Sequence, residues 1–320
     1  MGASAGKRRR ASMPIDLGKL KAAAEEFEGA IGRPLNLSLV IDVTASDELI
    51  GCMLDNLRTQ DPSVDLRCAV LAAELPQMSW QSDLCIVVAG QSLLLGELAE
   101  QGLEQGVAVV VALEEGETFF AESPQEAEEI LGLSGGEPGE AAPAGIPLGS
   151  IVAVDPAAEQ PLEELGTWIA RNLPELRLAL ARHLPFCRRP VALELTRRAA
   201  LLNAGGGALV MIPGADMPAI TMNQAKLVLQ IAGVYGQPLD MGRMREVLAV
   251  VAGAFGLRAV ARELADAIPG LGWGVKGTVA YSGTVAMGRA AIDCFEEGGT
   301  LNSLGAAIER AAEQLSPRGE

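Results

Sequence analysis

The sequence predicts a parallel α/β domain followed by an all-helical region. Three features carry this reading. Short β-rich apolar runs alternate with helical segments between residues 35 and 154, helical periodicity punctuated by prolines follows Pro161, and the charge distribution sets the middle of the chain apart from both ends. Continuous apolar runs separated by helices imply a parallel sheet buried on both faces. The expected organisation is a basic arm with an amphipathic helix over 1–33, an acidic α/β domain over 34–160 and a helical module over 161–320.

Residues 15–31 read as a helix, because Leu17, Leu20, Ala24, Phe27 and Ile31 recur three or four apart on one face. Strands follow at Leu37–Ile41, Leu66–Ala72, Leu84–Ala89, Val107–Leu113 and Ile151–Val154, with helices near 49–57, 93–103 and 125–131. Ser134–Ile146 has the Gly, Pro and Glu content of a loop. Beyond Pro161 the expected helices are 162–183, 188–204, 218–235, 240–265, 272–296 and 300–315, separated by Pro185, Pro213, Pro238 and Pro269, which cannot continue a helix without losing a backbone bond.

The chain has 320 residues, 49% apolar but only 3% aromatic, so its cores must pack small aliphatic side chains closely. Net charge is +3 over residues 1–33, −20 over 34–186 and +1 over 187–320. The acidic middle argues against nucleic acid, whose binders need a concentrated basic face. Five scattered cysteines, with no CxxC pair, read as reduced core residues. The basic start, GKRRRASMP, lacks the apolar run of a signal peptide and reads as a basic arm. Two apolar stretches approach membrane-spanning length. Ala199–Ala215 is interrupted by Gly205, Gly206, Gly207 and Pro213, and Ala267–Gly288 by Pro269 and Lys276, which leaves interfacial or re-entrant helices as the membrane alternative.

An alternating β/α domain raises nucleotide binding, since strand ends and helix N-termini suit phosphate. The first such loop is DVTASDE, with no glycine or lysine and with Asp42, Asp47 and Glu48, so it would repel a triphosphate. The order and spacing of elements nevertheless resemble a Ras-like GTPase domain. In the positions where that family carries its metal turn and its guanine-reading motif, this chain has AAELP at Ala72–Pro76 and Glu114-Glu115-Gly116-Glu117. The resemblance implies a degenerate, pseudo-GTPase scaffold without cofactor, and an unrelated flavodoxin-like domain remains the alternative.

Other chemistries are limited by inventory. His183 is the single histidine, placed at a helix end beside arginines, where capping backbone carbonyls is its expected role. Glu128-Glu129 and Glu163-Glu164 read as solvated helix faces, and neither catalytic nor metal-binding residues are expected.

The second half carries a sharper pattern. The Pro213-Gly214-Ala215-Asp216 turn, Thr221 and Gln224, Tyr235-Gly236, Arg258, Pro269, Lys276, Thr284 and Gly288 agree in order with a YcjF-related bacterial domain of unknown function, which Arg188–Gly299 resembles. That family occurs in inner-membrane proteins and behind GTPase domains. Asp216 is placed to cap the following helix, and Ala280, Thr284 and Gly288 form a small-residue stripe that lets a neighbouring helix approach. Arg258 and Arg262 lie one turn apart on an apolar helix and call for carboxylate or lipid-phosphate partners.

These readings predict a bacterial, non-enzymatic interaction or scaffold protein, cytoplasmic and peripheral to the inner membrane, whose partners are an unidentified protein and an anionic membrane surface. The docking residues expected are Pro213, Gly214, Asp216, Gln224, Tyr235, Arg258, Arg262, Lys276, Thr284 and Gly288. Two alternatives stand beside it: a nucleotide-dependent switch with atypical GTP or ATP contacts, and a soluble homo-oligomeric scaffold.

Overall fold

The computed structural model describes residues 17–59, 61–115, 148–209, 217–239 and 272–300. Helix α1 (Leu17–Ile31) leads into β1 (Leu35–Asp42), α2 (Asp47–Leu57), β2 (Val64–Leu71), β3 (Leu84–Val88), α3 (Leu95–Glu104), β4 (Ala108–Glu114) and β5 (Ile151–Val154). Helices α4 (Glu163–Asn172), α5 (Arg177–His183), α6 (Arg188–Leu209), α7 (Met217–Val234) and α8 (Gly272–Glu296) complete the described chain. The α/β-then-helical architecture is the one the sequence predicts.

The five described strands are all parallel, in the order β2-β1-β3-β4-β5. This is the doubly wound order of flavodoxin-type sheets, and its direction of winding reverses between β1 and β3. Leu84–Val88 is buried throughout and Val109–Leu113 nearly so, as a strand covered on both faces must be. One core of this unit gathers Val40, Leu71, Cys85, Val87, Leu95, Leu98, Val109 and Val111. From β2 to β3 the chain crosses β1 without a helix. The connecting segment 72–83 instead lays Leu75, Met78 and Trp80 against that core, and Trp80 reaches Gly102 of α3, where an added Cβ would come within 2.7 Å of the indole.

Contacts divide the chain into two compact units, 28–194 and 1–27 with 195–320. The single helix expected over 162–183 is two helices. Pro174 removes a backbone donor and pushes Leu173 out of the helical region (φ −116°, ψ 63°), so α4 ends there and α5 restarts at Arg177. Conversely, α6 continues through Gly205, Gly206 and Gly207 to Leu209, beyond the expected end at 204. Tertiary context overrides the glycine penalty of about 1 kcal/mol per residue. Helix α7 is buried at Ile220, Thr221, Gln224, Ala225, Leu227, Val228, Leu229, Ile231 and Ala232, nearly all round its axis, which fits a central position in its unit. It ends in a Schellman turn. Gly236 takes a left-handed φ of 81°, its N–H donates to Gly233 O (2.9 Å), and Gln237 N–H donates to Ala232 O (2.9 Å). The expected helices at 125–131, 240–265 and 300–315, and the loop 134–146, lie outside the described residues.

Candidate functional site

In doubly wound sheets, ligands bind outside the carboxyl ends of the strands where the winding reverses. In this chain that place is held by Asp42, the last residue of β1, whose side chain is fully buried. Its Oδ1 accepts from Thr44 N (3.0 Å) and Thr44 Oγ1 (2.8 Å), and its Oδ2 accepts from Gly90 N (3.0 Å) and Ser92 N (3.1 Å). Thr44 Oγ1 in turn accepts from Gln91 N at 2.6 Å. The loops after β1 and β3 are thereby laced together, and Gly90 is the residue that permits it. A Cβ there would lie 2.3 Å from Thr44 C and 2.4 Å from Ala45 N.

One step on, Ser46 caps α2 by accepting from Leu49 N (3.0 Å), Asp47 and Glu48 fill its first turn, and Ser46 Oγ donates to Glu114 Oε2 at the end of β4. Amides of the β3–α3 loop, which a phosphate at this place would use, are committed to the Asp42 carboxylate. Asp42 pairs with Thr44 and Ser46 with Glu114, and both Asp42 oxygens and both hydroxyls are engaged by groups of the chain itself. Among the described residues no three His, Cys, Asp or Glu side chains group as metal ligands.

In the helical unit, two of the expected residues meet. The Thr284 hydroxyl on α8 accepts from Gln224 Nε2 of α7 (3.1 Å) and from Asn203 Nδ2 of α6 (3.0 Å), while Asn203 Oδ1 accepts from Asn223 Nδ2 (3.1 Å). Thr284, Gln224 and Asn203 are buried, so three helices are pinned by one polar cluster inside an apolar unit. Gln224 Oε1 and Thr221 Oγ1 are buried without a hydrogen-bond partner among the described residues. Gly288, one turn after Thr284, lies under Thr196 of α6, whose Cγ2 would be 2.3 Å from an added Cβ. Sequence reading named Thr284, Gln224 and Gly288 but missed Asn203, Asn223 and Thr196. An asparagine at a position flanked by Leu202 and Ala204 in an apolar helix was the available signal.

Tyr235 closes α7 and donates its hydroxyl to Glu296 Oε1 (2.9 Å), its ring 6.0 Å from Phe295. Lys276 lies within α8. Pro213, Gly214, Asp216, Arg258 and Arg262 lie outside the described residues. His183 ends α5, but its Nδ1 faces Asp61 Oδ2 at 3.1 Å, an ion-pair geometry in place of the expected carbonyl cap. The buried thiols Cys85 and Cys187 are inert as nucleophiles, since burial pushes Cys85 up to about 12 and Cys187 higher still. Among the described residues no helix is long and apolar enough to cross a membrane.

No family model matches the chain. Magnetosome membrane protein 22 of Magnetospirillum gryphiswaldense is 31% identical to it over 119 residues, which cover 35% of this chain and 61% of that protein. The chain thus spans less than two thirds of this relative's length.

Proposed function

We propose that this chain is a bacterial, non-enzymatic interaction protein peripheral to a membrane. In this reading the helical unit, with its YcjF-like pattern over 188–299, docks at the membrane, and the acidic α/β unit presents a surface to a protein partner. The observation that carries the non-enzymatic part is Asp42. Its carboxylate occupies the loop amides of the switch point, so the nucleotide-binding topology is held closed by its own chain. The membrane part draws support from the relative described as a membrane protein and from the small-residue helices. The recruiting role draws on the net charge of −20 over 34–186.

Liposome flotation of the full chain, with anionic and neutral lipids at two salt concentrations, tests the docking. Salt-sensitive flotation with anionic lipid is expected, and the variant Arg258→Glu/Arg262→Glu should stay in the aqueous layer. A protein that never floats, or a variant that floats as well as the parent, would sink this reading. Saturable binding of magnesium-GTP or magnesium-ATP would instead select a nucleotide switch.

A further inference from the structure

Strands of a doubly wound parallel sheet are normally covered on both faces. β2 departs from this rule. Asp65, Arg67, Cys68 and Val70 are exposed and Val64, Leu66 and Ala69 only half-buried, whereas the neighbouring Leu35, Leu37 and Leu39 of β1 are buried. The register sets Leu37 beside Leu66, Leu39 beside Cys68 and Ile41 beside Val70, so the cover over β1 stops before it reaches β2. The connection 72–83 packs on the other face, where Leu75, Met78 and Trp80 join Val40, Ala69 and Leu71, and so leaves this face of β2 uncovered. An apolar strip results, in which Val70 is 57% and Val43 56% exposed. On the opposite face Arg67 pairs with Asp65 at 2.7 Å. Among the described residues β2 is also the end strand of the sheet, so its outer backbone groups form a template for another strand.

We propose that β2 pairs antiparallel with β2 of a second copy of this chain, about a two-fold axis at Leu66. Charge selects both the occupant and the register. In an antiparallel pair, directly opposed residues lie on one face of the sheet and interact. Centred on Leu66, each Asp65 stands opposite Arg67 of the second copy, each Val64 opposite Cys68, and Leu66 opposite itself. Centred one residue later, Arg67 would face Arg67. Centred one residue earlier, Asp65 would face Asp65. Both alternatives set like charges against each other, so the Asp65–Leu66–Arg67 triplet admits one register and penalises its neighbours. The interface is isologous and closes on itself, and it extends the sheet without leaving β2 as an open edge. It is independent of the membrane reading.

Sedimentation velocity of the full chain over a range of protein concentrations tests the proposal. A monomer–dimer equilibrium is expected. Arg67→Asp, which puts like charges opposite each other, should weaken dimerisation by about tenfold or more, and the exchange Asp65→Arg/Arg67→Asp should restore it. Independently, Val64→Cys should form an intermolecular disulfide with the native Cys68 under mild oxidation, because opposed Cα atoms in such a pair lie about 4.5–5.5 Å apart. Within one strand the same two residues are about 13 Å apart, too far to bridge. That covalent dimer should vanish in Val64→Cys/Cys68→Ser. A protein that sediments as a monomer at every concentration, a dimer indifferent to Arg67→Asp, an exchange that fails to restore association, or absence of the disulfide would each overturn the pairing.

Discussion

A single carboxylate decides what the end of the sheet can do. Asp42 accepts four hydrogen bonds from Thr44, Gly90 and Ser92, two from each neighbouring loop. Asp42→Asn would turn an amide donor toward backbone donors, and with charge-assisted bonds lost the α/β unit should be destabilised by about 2–3 kcal/mol. Urea unfolding followed by circular dichroism measures that loss, and a shift below a few tenths would show that the two loops hold without it. The sequence reveals half of this. DVTASDE announces a loop hostile to phosphate, but Gly90 and Ser92 stand 48 and 50 residues away, and nothing local says that their amides meet Asp42. Asp61 makes a second residue-level case. Its acidity is increased first by the Ser63 hydroxyl, then by the Ser63 amide, against a small opposing effect of burial, with His183 contributing as well. A carboxyl whose folded pKa lies below its ordinary value of 3.8 stabilises the fold above that value and loses the contribution as pH falls through the lower, folded one. Asp61→Asn should therefore lower the melting temperature at neutral pH and leave it closer to the parent's in strong acid. An equal loss at both pH values would assign the effect to something other than ionisation.

At the scale of elements, the strands were legible because β-branched runs such as VAVVVAL leave little choice, and every predicted strand appears with its ends shifted by a few residues at most. Helix ends were less legible. Pro174 splits a segment whose apolar spacing runs straight through it, and α6 passes over three glycines that its sequence alone gives every reason to stop at. Packing supplies the missing information. Thr196 of α6 sits so close to Gly288 of α8 that even a methyl group has no room, its Cβ being 2.8 Å from where one would go. Gly288→Ala should cost about 1–3 kcal/mol by forcing the helices apart, although alanine is the better helix former. Thr196→Ala removes the two nearest atoms, so the double variant should recover part of the loss. Chemical denaturation of all four combinations gives the coupling directly, and strict additivity would show that these helices do not meet at this pair. The Asn203–Thr284–Gln224 cluster holds the same three helices in register. Removing the shared hydroxyl by Thr284→Val would strand two buried amides, whereas Thr284→Ser retains their acceptor.

For the whole molecule, the charge profile was the most informative reading of the sequence, because it separates a strongly acidic stretch from nearly neutral flanks before any element is assigned. Contacts divide the chain into two compact units, and each contains a glycine at which a side chain would strike backbone or a branched residue: Gly90 in 28–194 and Gly288 in the unit of 1–27 with 195–320. The two positions share no partner. Gly90 is bounded by Thr44 and Ala45, Gly288 by Thr196. Mutations without shared partners combine within about 0.3–0.5 kcal/mol when each acts in its own cooperative surroundings. Gly90→Ala and Gly288→Ala should accordingly lower stability independently, and the double variant should show the sum of the two losses in calorimetric unfolding. If the units unfold separately, each substitution will move one transition and leave the other in place. A double variant no worse than the less stable single one would mean instead that unfolding of one unit already releases the other.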